Sequence, residues 1–161
     1  MLKVIFFPSF SEKSEITSFK NDSGEWIKFL IRDNFVDKPA DTFYFRTIKL
    51  SQEQFFRMDT AIFQKIKVNI TATPLGRDGM GVEFIKIQGI DTLKENFWSP
   101  RDKNKFAYKI TKSAIENFRA IISDTIIAEF LDEITGYIDD QNPNTNRKEI
   151  EKIRRERYNK K

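Results

Sequence analysis

The hydrophobic period of this chain turns helical for good near residue 112, and that change limits the folds open to it. Before it, apart from one helical stretch over 52–65, apolar residues alternate or cluster in short runs broken by turn signals, the pattern of β-strands. After it, Ile115, Phe118, Ile122, Ile126, Phe130, Ile134 and Tyr137 recur at helical spacing over more than six turns. Strands followed by helices imply an α+β domain with an antiparallel sheet, because a parallel sheet needs helices interleaved between its strands.

Leu2–Phe7 is a short apolar run closed by Pro8 and is expected to be a strand. Glu15–Lys20 and Glu25–Arg32 flank Asn21-Asp22-Ser23-Gly24, where glycine permits positive φ, so this stretch is expected to form a hairpin. In its second strand Ile27, Phe29 and Ile31 share the better core face. Trp26, Lys28, Leu30 and Arg32 share the other face, which is amphipathic enough to be partly covered. Thr42–Leu50 is rich in β-branched and aromatic residues and is expected to be another strand.

Ser51-Gln52-Glu53-Gln54 then fits a capping box, with Leu50 and Phe55 at the positions of a hydrophobic staple. The spacing of Phe55, Met58, Ile62, Phe63 and Ile66 predicts a helix over 52–65. Val68–Thr73 and Val82–Gln88 are expected to pair as a hairpin across 74–81, and Phe97-Trp98-Ser99-Pro100 to end an extended piece. Phe106–Ile110 suggests a last short strand, followed by a long helix over about 112–138 capped at Ser113. Ser123-Asp124-Thr125 is the place where that helix would break. The expected fold is α+β: a mostly antiparallel sheet of five to seven strands, with both helices on one face and a basic C-terminal helix outside.

A length of 161 residues is enough for one domain with a substantial core, and 16 phenylalanines supply the apolar mass. The expected organisation is a domain over 1–140, a polar linker over 141–146 containing Pro143, and a basic helix or tail over 147–161. The apolar stretch Val4–Phe7 is too short for an export signal, and no run approaches a membrane span. The expected protein therefore has no membrane contact and is cytoplasmic, the alternative being secretion by a route that does not read the N-terminus.

Charge is sorted into blocks. Residues 147–161 hold eight Lys or Arg against three Glu. The preceding 27 residues, 120–146, contain no Lys or Arg and carry Asp124, Glu129, Asp132, Glu133, Asp139 and Asp140. The basic tail therefore has three readings. It folds back against the acidic helix as an αα-hairpin, it frays in solvent, or it binds nucleic acid or anionic lipid through salt-sensitive contacts.

Candidate chemistry is sparse. The chain has no cysteine and no histidine, which removes thiolate nucleophiles and the commonest general base and metal ligand. Gly76-Arg77-Asp78-Gly79-Met80-Gly81 lacks the Lys-Ser/Thr ending of a phosphate loop and precedes a strand, so a hairpin loop is expected. Glu129, Asp132 and Glu133 lie on one helix and fit a solvated acidic face better than an all-oxygen metal site. No serine, threonine or lysine sits in a nucleophile motif. No cofactor is expected.

Asp78-Gly79-Met80-Gly81-Val82-Glu83-Phe84, followed by Asn96-Phe97-Trp98-Ser99-Pro100 and a long helix, resembles a pattern of small bacterial α+β proteins of the immunity and inhibitor type. Those that neutralise nucleases are acidic, and this chain departs from them in its basic tail. The resemblance, together with the absence of catalytic motifs, implies a non-enzymatic protein that blocks a partner protein. The alternative is a nucleic-acid-binding accessory protein using 147–161, and a third reading is an enzyme relying on carboxylates alone. Binding energy at protein interfaces concentrates in aromatic and Arg anchors. The candidate partner-binding residues are accordingly Trp26, Trp98, Arg101, Arg147, Arg154, Arg155 and Arg157.

Overall fold

The computed structural model describes residues 1–8, 13–32, 42–66 and 79–139, together with Lys152 and Glu156. They form an α+β fold built on an open, six-stranded antiparallel sheet and three helices. The strands are β1 (Leu2–Pro8), β2 (Lys13–Asn21), β3 (Gly24–Arg32), β4 (Thr42–Lys49), β5 (Met80–Gln88) and β6 (Asp91–Trp98). The helices are α1 (Gln52–Ala61), α2 (Phe106–Ile121) and α3 (Thr125–Asp139). Spatial order is β4-β3-β2-β1-β5-β6, so β1 to β4 form a meander and the chain then crosses back, through α1, to the far side of β1. Among the described residues no helix is long and apolar enough to cross a membrane.

Local chemistry accounts for several element boundaries. The β2–β3 turn closes because Asn21 Oδ1 accepts from the Ser23 N–H at 3.0 Å and the Ser23 hydroxyl at 2.7 Å, while Gly24 takes φ +127°. The capping box at α1 is complete: Ser51 Oγ accepts from Gln54 N at 3.2 Å, and Ser51 N donates to Gln54 Oε1 at 2.9 Å. The segment expected to be one helix over 52–65 is α-helical to Ala61 and then tightens into a 3-10 turn at Phe63–Lys65.

Sheet alternation sends Leu2, Val4, Phe6, Ile16, Ile27, Phe29 and Ile31 toward the helices, where they join Met58, Ile115, Phe118, Phe130 and Ile134 in one core cluster. Phe29 meets Phe130 edge-on with ring centroids 5.9 Å apart. Phe97 does the same to Phe84 at 6.0 Å and to Phe106 at 6.1 Å. Phe29, Phe84 and Phe130 are fully buried, which is worth about 1.5–3 kcal/mol each.

Three expectations are corrected. Val82–Gln88 does not pair with 68–73: β5 has β1 on one edge and β6 on the other, and a strand has only two edges. Residues 68–73 lie outside the described residues. The β5–β6 hairpin turns at Gly89-Ile90, with Gly89 at φ +62°. Phe106–Ile110 is not a strand but the first part of α2, which begins after Lys105 and leaves Ser113 in its interior. The long helix over 112–138 is two helices. Ile122 adopts extended angles (φ −102°, ψ 121°), and Asp124 Oδ1 accepts from Ile126 N at 3.1 Å and Ile127 N at 3.2 Å, starting α3 afresh.

The pairs Arg119–Asp132 and Lys112–Asp139 make α2 and α3 an antiparallel αα-hairpin, with the Lys112 ammonium 2.6 Å from Asp139. The acidic block thus pairs with α2 and, through Asp124, with β4. Except for Lys152 and Glu156, which are helical and exposed, the tail lies outside the described residues.

Candidate protein-binding face of the sheet

The same alternation that sends Ile27, Phe29 and Ile31 to the core sends Trp26, Lys28, Leu30 and Arg32 to the opposite face. There Phe45, Leu30, Glu15, Ile5, Glu83 and Asn96 form one cross-strand row. Ile5 and Leu30 are only 6% and 8% exposed although they lie outside the helix-packed cluster. They give this face an apolar centre of its own.

Glu15 sits between them and holds a cationic ring, with Lys3 Nζ at 3.2 Å, Arg32 Nε at 3.5 Å and Lys13 Nζ at 3.7 Å. Burial pushes the Glu15 carboxyl up. The Lys3 hydrogen bond and the charges of Lys3, Arg32 and Lys13 outweigh that and hold it below the ordinary carboxylate value. Further along, Glu83 pairs with Lys94 at 2.9 Å. At the β3–β4 corner the lysines rest on rings: Lys28 Nζ lies 5.9 Å from the Phe45 centroid and Lys49 Nζ 5.7 Å from the Trp26 ring. Phe45 is 55% exposed, and no residue type in the sequence marked it as a site. Its exposure follows from its place on an edge strand, which only the register reveals.

The expected anchors are distributed differently from one another. Trp26 is half-buried, with Nε1 donating to Asn21 Oδ1 at 3.1 Å. Trp98 is half-buried at the opposite corner of the same face, paired with Gly81. Four inter-strand spacings, about 19 Å, separate their strands, so the two do not form one cluster. Gly79, at φ +146°, lies so close to Ser99 that a Cβ would sit 2.0 Å from the Ser99 hydroxyl and 3.2 Å from the Trp98 ring. Ser99 itself takes φ +42°. The Gly79–Gly81 and Phe97–Pro100 segments therefore build one joint. Arg101 Nε donates to the Tyr137 carbonyl at 3.1 Å, tying this joint to the last turn of α3. Arg147, Arg154, Arg155 and Arg157 lie outside the described residues.

The acidic block is not a uniformly solvated face. Asp124 accepts from the Tyr44 hydroxyl and, at 3.2 Å, from Arg46 Nε. Asp139 accepts from the Tyr108 hydroxyl at 2.8 Å and from Lys112. Glu133 is only 2% exposed, and Glu129 is half-buried. Burial and the hydrogen bond to Asp124 push Tyr44 up to about 12, so the phenol stays protonated at neutral pH. Among the described residues no group of three or more carboxylates is placed to hold a metal ion. A shallow cavity of about 340 Å³ lies between the start of α1 and the end of α2, lined by Gln54, Arg57 and Asn117 among others. No protein-family model matches this sequence, and no curated protein matches it either.

Proposed function

We propose that this chain is a non-enzymatic bacterial protein-binding module, an immunity protein or inhibitor that blocks a partner protein. We place its contact surface on the sheet face opposite the helices. The observation that supports this reading is the composition of that face. Exposed Phe45 and partly exposed Trp26 stand with Lys28, Lys49 and Arg32 around the buried Ile5 and Leu30. Aromatic residues and Arg are what protein interfaces are enriched in.

The test is purification of the full chain from its native cells under mild crosslinking, followed by size-exclusion chromatography and mass spectrometry. A single protein retained in stoichiometric amount, and lost from the Phe45→Ala variant, is the expected result. Recovery of nucleic acid alone, or of no protein at all, would refute the reading.

One observation favours the nucleic-acid alternative. Asp124, Asp132 and Asp139 are satisfied by β4 and α2, so less of the acidic block remains to neutralise residues 147–161. Under that alternative, duplex binding falls with salt with a log–log slope of about −0.9 per phosphate neutralised, and deleting 147–161 abolishes it.

A further inference from the structure

We propose that the β3–β4 corner, formed by Trp26, Lys28, Phe45 and Lys49, is the seat for an acidic segment of a protein partner. This rests on the protein-binding reading and names the chemistry of the partner. Trp26 pairs with Lys49 and Lys28 with Thr47, so the two lysines are diagonal neighbours about 7–8 Å apart at the backbone. Alternate residues of an extended segment are separated by about 6.6 Å, which lets two carboxylates at positions i and i+2 meet both ammonium groups.

Among the described residues no carboxylate shares the charge here, whereas the paired cations of this face each contact one. Lys3, Lys13 and Arg32 share Glu15, and Lys94 holds Glu83. Among the described residues neither Lys28 nor Lys49 has an ion-pair partner, and the corner rows Thr47–Lys28–Thr17 and Lys49–Trp26–Phe19 contain no carboxylate. Lys28, Phe45, Thr47 and Lys49 are all exposed. The turn also places Lys49. A Cβ on Gly24 would stand 3.1 Å from Lys49 Cε, so glycine leaves room for the stem that carries the ammonium over Trp26.

The same geometry favours a protein over a single-stranded nucleic acid. Base stacking needs open ring faces. Phe45 and Trp26 each already carry an ammonium over one face, and the Trp26 indole is tied to Asn21. A short acidic segment needs no open ring face.

The experiment uses the ¹⁵N-labelled full chain and three probes: a twelve-residue peptide alternating glutamate and threonine, its glutamine counterpart, and a dT12 oligonucleotide. Expected is saturable binding of the glutamate peptide, with amide shifts centred on Trp26, Lys28, Phe45 and Lys49. Binding should weaken about tenfold in the Lys28→Gln, Lys49→Gln double variant and with the glutamine peptide. Shifts elsewhere, equal binding of the glutamine peptide, or tighter binding of dT12 to these residues would overturn the inference. The double variant changes only exposed side chains, and an unchanged spectrum away from the corner confirms that it folds. A cellular protein partner whose affinity the double variant leaves unchanged would overturn this inference while the protein-binding reading stands. Absence of any protein partner would instead overturn that reading.

Discussion

Tyr44 on the edge strand donates its hydroxyl to Asp124, the residue that starts α3, although 80 positions separate them in the chain. Asp124 thereby works on two levels. One oxygen caps the helix through the N–H groups of Ile126 and Ile127, and the other receives Tyr44 and Arg46. The α2–α3 break is thus fastened to β4. Asp124→Ala should lower stability by about 2 kcal/mol, since cap loss costs about 1 kcal/mol and the abandoned Tyr44 hydroxyl adds to it. Tyr44→Phe should cost about 1 kcal/mol. Urea denaturation of both single variants and the double variant measures the coupling. Strict additivity would mean that the two side chains act independently.

The carboxylates of Asp124, Asp139 and Glu15 are all held below their ordinary values. In each case burial pushes upward and is outweighed by partners: Tyr44, Ile127 N–H and Arg46 for Asp124, Lys112 and Tyr108 for Asp139, and the Lys3 ring for Glu15. A depressed folded-state pKa contributes stability above the unfolded value and loses it as pH falls through the folded one. Thermal stability should therefore be flat from neutrality to about pH 5 and fall progressively below about pH 4. Tyr44 acts in the opposite direction. Its pKa is raised to about 12, so its contribution is present below about pH 10 and is lost as pH rises from there. Melting curves from pH 2 to 11 check both limbs, and the Tyr44→Phe variant should flatten the alkaline one.

Gly79→Ala should destabilise the protein by at least about 2 kcal/mol, because backbone strain and overpacking act together. Its φ is +146°, and the new methyl would collide with the Ser99 hydroxyl. Gly89→Ala is the control. Its Cβ would meet nothing within 4 Å, so only the left-handed backbone penalty of about 1–2 kcal/mol remains. Equal losses at the two sites, measured by chemical denaturation, would refute the idea of a tight joint between 79–81 and 98–99.

Phe45→Ala separates binding from folding. More than half of the ring is already in solvent, so stability should change by less than about 0.5 kcal/mol. If this face holds the partner, affinity should fall by about 2 kcal/mol, close to thirtyfold, when measured calorimetrically. Trp98→Ala should show the reverse balance, with a larger loss of stability than of affinity, because its ring packs over Gly79 and Gly81.

The sequence alone determined those features that neighbouring residues settle among themselves. The Asn21–Gly24 turn and the Ser51–Gln54 capping box rest on contacts within a few positions, and the Ile27/Phe29/Ile31 core face on the alternation of a single strand. The stripe from Ile115 to Tyr137 marked buried residues at every position but Ile126, where the break at 122–124 shifts the phase and Ile127 is the buried residue. Part of the candidate site was legible in the same way: alternation put Trp26 and Lys28 on the outer face. Phe45 and Lys49 joined them only through the register of β4 on β3. Tertiary structure decided the rest. It placed β5 between β1 and β6, and it took Asp124, Asp132 and Asp139 from the basic tail's side of the ledger and paired them with Tyr44, Arg46, Arg119, Lys112 and Tyr108. Charge blocks in a sequence report how many partners a segment needs. Which partners it meets depends on how α2 and α3 pack on each other and against β4, and no local pattern encodes that packing.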